Sequence, residues 1–99
     1  METLKYLIGG YLHQDWDVYG GSVSDAVAAF LRDSPSQAAR AADQIDELLR
    51  EDLAEGELAA RLDEWGCDYY AGDTDDDYRR WLAEIRDQLR AFLATSAAS

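Results

Sequence analysis

Thr74–Leu93 reads TDDDYRRWLAEIRDQLRAFL, and the spacing of its apolar residues decides the fold. Tyr78, Trp81, Leu82, Ile85, Leu89, Phe92 and Leu93 recur every three or four positions, which is the repeat of one face of an α-helix. Thr74 offers an oxygen to the first free amides. Asp75, Asp76 and Asp77 set negative charge at the positive end of the helix dipole, and Arg90 stands near the other end. The segment predicts a long amphipathic helix with an apolar face too broad to remain in water, so other elements must cover it.

Working back along the chain, each periodic segment offers another such face. Leu58, Leu62 and Trp65 predict a short helix, and Gly66 stands where a left-handed residue would close it. Ala38, Ala41, Ala42, Ile45, Leu48 and Leu49 mark a helix that starts at Ser34-Pro35, a cap followed by proline in the first turn, and runs to about Asp52. Val23, Val27, Phe30 and Leu31 mark another, capped from Ser22-Val23-Ser24-Asp25. Leu4, Leu7, Ile8, Tyr11 and Leu12 mark the first, although Gly9-Gly10 in its middle costs roughly 1 kcal/mol per glycine. Close packing against a neighbouring helix would account for that pair. No stretch alternates with period two. The chain is therefore expected to be all-α, one compact domain of about five helices over residues 1–99, with 94–99 as a frayed tail.

The charge balance narrows the partners. Twenty-one acidic against nine basic residues give a formal net charge of -12. Such a surface repels phosphate backbones and anionic lipids, so neither direct nucleic-acid binding nor membrane binding is expected, and basic proteins or cations are the natural partners. With no basic leader before a long apolar run, the chain reads as cytoplasmic. The lone Cys67 forms no internal disulfide and offers no metal or redox pair.

Four features of the sequence bear on chemistry. Nucleophilic catalysis would need His13, the single histidine, to meet Cys67 through the fold, with no third member or oxyanion loop in sight; His13 holding its loop by a hydrogen bond is the better reading. His13, Asp15 and Asp17 begin like a calcium loop, but Tyr19 follows and no bidentate glutamate completes the pattern. Gly9-Gly10 and Gly20-Gly21 lack the residues of a phosphate-binding loop. No catalytic residue, metal or other cofactor is expected. The fourth feature is charge geography. From Asp63 to Asp77 the chain carries seven acidic residues and no basic one, interleaved with Trp65, Tyr69 and Tyr70. Carboxylates beside aromatic anchors suit a surface for a basic protein, although a solvated acidic loop with inward-packed aromatics fits the pattern as well.

Tyr6-Leu7-Ile8-Gly9-Gly10-Tyr11-Leu12-His13-Gln14-Asp15-Trp16-Asp17, followed by a short turn and Val27-x-x-Phe30-Leu31, resembles the small immunity proteins of contact-dependent growth inhibition, whose hallmark is Y-F-H-Q-D. The likeness continues through Ile45-x-x-Leu48-Leu49, Leu62-x-x-x-Gly66-Cys67-x-Tyr69 and Tyr78-Arg79-x-Trp81-Leu82-x-x-Ile85-Arg86, covering about residues 4 to 93. Leu12 departs from the aromatic usual at its position. The resemblance implies a helical, non-enzymatic inhibitor that binds a contact-delivered toxin domain. It also implies a scaffold role for Tyr11, His13, Gln14, Asp15, Trp16 and Asp17: Asp15 accepting backbone amides, Trp16 packed inward and His13 bridging. The acidic balance adds the expectation of a basic toxin, such as a nuclease, met through Asp63, Asp68, Tyr69, Tyr70, Asp73, Asp75, Asp76 and Asp77. An acidic helical adaptor unrelated to toxins is the alternative.

Overall fold

The computed structural model describes residues 1–12, 22–67 and 71–98, with side chains through residue 95. Within them lie five α-helices: α1 (Glu2–Tyr11), α2 (Val23–Asp33), α3 (Ala38–Arg50), α4 (Glu57–Glu64) and α5 (Asp75–Ala98). A single 3-10 turn, Pro35–Gln37, leads into α3, and no strand occurs among the described residues. The all-α expectation is met.

The long helix read from the sequence is the spine. Trp81, Leu82, Ile85 and Leu89 of α5 are buried, while Tyr78, Phe92 and Leu93 pack half-buried around them. The most extensive helix contact is α5 on α3, whose Ala41, Ala42, Ile45 and Leu48 face inward. Small alanines let the two axes approach, and the larger Ile45 and Leu48 fill the space beyond. Helices α1 and α2 close the core with Leu4, Leu7, Ile8, Ala26, Val27 and the fully buried Phe30. Helix α4 adds Leu58 and Leu62 against α5.

An ion-pair triad crosses the spine. Asp46 of α3 receives Arg86 Nη1 at 2.9 Å and a second bond from Arg90, both on α5. The hydrogen bond from Arg86 holds the Asp46 carboxyl below its usual range, against the opposing effect of burial, with Arg90 assisting. A carboxyl depressed in the fold adds stability that is full above its unfolded pKa of 3.8 and is lost as pH falls through the folded value. Denaturant midpoints measured between pH 6 and pH 2 are therefore expected to fall steeply below about pH 4. Asp46→Asn should flatten part of that fall and cost about 1–2 kcal/mol at neutral pH. An unaltered pH profile in the variant would assign the acid sensitivity to other groups.

Three expected boundaries move. Ser34 does not cap with its side chain, and the proline opens a tight 3-10 turn, so α3 begins three residues later than Pro35 and ends at Arg50 rather than about Asp52. The segment expected to fray from residue 94 instead continues α5 to Ala98, where Thr95 Oγ1 donates to the Ala91 carbonyl at 3.0 Å and alanine favours the helix.

Candidate partner-binding surface

The acidic segment takes its shape from two helix ends that meet. Helix α4 closes at Gly66 in the left-handed conformation (φ 92°), with Cys67 N–H donating to the Leu62 carbonyl at 3.0 Å and Gly66 N–H to Asp63 at 3.0 Å. This is the Schellman arrangement, and it confirms the role read for Gly66. Helix α5 opens on a reciprocal box: Asp77 N–H donates to Thr74 Oγ1 at 3.4 Å, and Thr74 N–H donates to Asp77 Oδ2 at 3.2 Å. A Cβ on Gly72 would collide with the Asp77 side chain, so the approach to the box requires glycine. The Thr74 contacts lower the Asp77 pKa, with Arg80 contributing.

The three consecutive aspartates part company here. Asp76 pairs with Arg79 at 2.6 Å and Asp77 with Arg80, each one helical turn on. Asp75 corrects the expected surface: it is 1% exposed and faces α4, not solvent. Its Oδ2 accepts from Gly56 N–H at 2.9 Å and Leu58 N–H at 3.3 Å, and its Oδ1 from Ala59 N–H at 3.4 Å. Gly56, the residue at the N-cap of α4, has no side chain to offer, and Asp75 supplies the missing oxygen from another helix. The segment therefore carries less free negative charge than its composition promised.

Exposed carboxylate at the start of the segment continues upstream of it. Asp52, Glu57, Asp63 and Glu64 are exposed and make no ion pair among the described residues, while Arg61, the one cation between Glu51 and Glu64, is bound by Glu51 at 2.8 Å. The sequence signal was the run from Glu51 to Glu57, overlooked because it lacks the aromatics that drew attention to residues 63–77. Asp63 and Asp73 are exposed as expected. Asp68, Tyr69 and Tyr70 lie outside the described residues, as do His13, Gln14, Asp15, Trp16 and Asp17.

Tyr11, the described member of the opening motif, is buried and its hydroxyl donates to Asp33 Oδ2 at 2.8 Å. Burial, then hydrogen bonding with Tyr6 and Asp33, raises its pKa far above that of a free tyrosine. It ties α1 to α2, which is a scaffold role.

No group of three or more His, Cys, Asp or Glu side chains among the described residues is arranged to hold a metal. No described helix is long and apolar enough to cross a membrane. The described residues thus form a small helical domain with exposed carboxylates that make no ion pair among them. Comparison identifies the family: the family model described as CdiI immunity protein matches residues 1–89, and the chain belongs to that family. No curated protein and no solved structure matches it. Membership implies a toxin-neutralising immunity protein whose partner is a cognate contact-dependent growth inhibition toxin, in a family that is generally non-enzymatic.

Proposed function

We propose that this protein binds its cognate toxin domain tightly and reversibly in the cytoplasm, covering the toxin's active site or substrate groove, and that the toxin domain is basic, as a nuclease would be. Family membership over residues 1–89 supports the neutralising role. The exposed, unpaired carboxylates at Asp52, Glu57, Asp63 and Glu64 support a basic partner, because their field draws cations before contact. Asp73 is exposed as well; Asp75 stays with α4, and Asp76 and Asp77 are partly neutralised by their arginines.

Co-purification with the toxin domain encoded beside this gene is the direct test, with a stoichiometric complex and loss of toxin activity as the expected result. Stopped-flow mixing then probes the charge. Association should exceed the roughly 10⁵–10⁶ M⁻¹s⁻¹ of unsteered pairs and fall about tenfold as salt rises from about 0.05 to 0.5 M, with dissociation little changed. Replacing Asp52 and Asp63 by asparagine and Glu64 by glutamine together should slow association in the same way. A rate indifferent to salt and to the triple change would remove this surface from the encounter. Absence of any complex would favour an acidic adaptor.

A further inference from the structure

Tyr6 is the large hydrophobic side chain left in the open among the described residues, 52% exposed on the outer face of α1. Its ring is not loose. It meets Tyr11 edge-on at 5.8 Å between centroids and leans on Phe30 at 6.1 Å, and those two rings are themselves perpendicular at 5.7 Å and buried. An exposed aromatic braced on a fixed base loses little freedom when a partner covers it.

Asp33, at the end of α2, shares Tyr11 with it. One carboxylate oxygen accepts from the Tyr11 hydroxyl at 2.8 Å. Among the described residues the other has only Arg32 Nε at 4.0 Å, a loose pair with the Asp33 and Arg32 side chains 52% and 73% exposed that water already screens. A ring face and a weakly occupied carboxylate thus both adjoin one tyrosine. Arginine suits both together, since its flat guanidinium stacks on an aromatic face while its edge bonds a carboxylate. A second copy of this chain would bring its own net charge of -12 against the site, and an anionic membrane would be repelled likewise.

We propose that Tyr6 and Asp33 form the anchor that receives an arginine of the toxin domain, the guanidinium lying on the Tyr6 ring and bonding Asp33. The proposal rests on the immunity reading and names its contact point. Gly9, one turn further along α1, packs against the Trp65 carbonyl in the turn that follows Asp63 and Glu64. Steering by those carboxylates and holding by Tyr6 and Asp33 then fall to different residues.

With the toxin domain as probe, Tyr6→Ala should weaken binding about tenfold or more, mainly through faster dissociation, at unchanged helical content and melting temperature. Tyr6→Phe should bind nearly as the parent does. Tyr6→Leu, which keeps bulk but not the π face, should resemble alanine. Asp33→Asn, which still accepts from Tyr11 but has no charge, should weaken binding several-fold. In the unmodified protein, bound toxin should slow amide hydrogen exchange in the first helix and around Asp33. Parent-like affinity in Tyr6→Ala, or no added protection there while the unmodified complex is tight, overturns the anchor and leaves the immunity reading standing; no complex at all overturns both.

Discussion

Asp75→Ala is expected to cost about 3 kcal/mol, the largest loss of any aspartate among the described residues, because it removes a buried charged acceptor from three backbone amides and leaves them without a partner. For a domain of this size that is a fall of roughly 15 °C in melting temperature. Asp75→Asn keeps one acceptor oxygen and should lose about half as much. Asp76→Ala, next door, gives up only a surface pair with Arg79 and should stay within about 0.5 kcal/mol of the parent. Thermal melts of the three variants decide the matter: equal melting temperatures for the Asp75 and Asp76 alanine variants would mean that α4 finds other acceptors.

The adjacent glycines of α1 are expected to behave oppositely. A Cβ on Gly9 would lie 2.6 Å from the carbonyl oxygen of Trp65, a backbone atom that cannot turn aside. Alanine at Gly9 gains roughly 1 kcal/mol of helix propensity, yet it forces α1 away from the end of α4, so a net loss of about 1–3 kcal/mol should result. At Gly10 the nearest atom among the described residues is the edge of the Tyr6 ring at 4.0 Å, ordinary contact. Gly10→Ala should leave stability unchanged or raise it by up to about 1 kcal/mol. Urea denaturation of both variants tests the assignment, and a stabilised Gly9→Ala would show that the crossing has slack.

The glycine pair also shows where a sequence stops speaking. That two glycines in a helix mark a close approach was readable; that only Gly9 makes it, against a turn rather than a helix, was not. Helix phase and caps were legible because they depend on residues three or four apart: Ser22 accepts from Asp25 N–H, Gly66 closes α4 and Thr74 opens α5. Asp75 is the instructive miss. It lies in phase with Tyr78, Leu82, Ile85 and Leu89, so the period that predicts the buried stripe places this aspartate on it. Taking the three aspartates together, as charge at a helix start, conceals that they point in different directions. What no local rule supplies is the acceptor–donor match across elements, such as Asp75 with α4 or Asp46 with Arg86 and Arg90, because it depends on how the helices cross. For the same reason charge counted along the chain did not separate the buried Asp75 from its exposed neighbours.

Helices α1 and α4 share one peculiarity: neither Met1 nor Gly56 caps its own helix with a side chain, and each helix start is completed by a residue made much later. Gln44 Oε1 accepts from Leu4 N–H at 2.8 Å across 40 positions, and Asp75 reaches Leu58 across 17. On a ribosome, therefore, α1 emerges with an open end until α3 has appeared, and α4 waits for the first turn of α5. An isolated helix of eight to ten residues is marginal in water even when capped. The carboxylates of α4 consequently acquire their fixed arrangement only after most of the chain has been synthesised, and truncated or half-made copies would lack a formed surface with which to occupy the toxin.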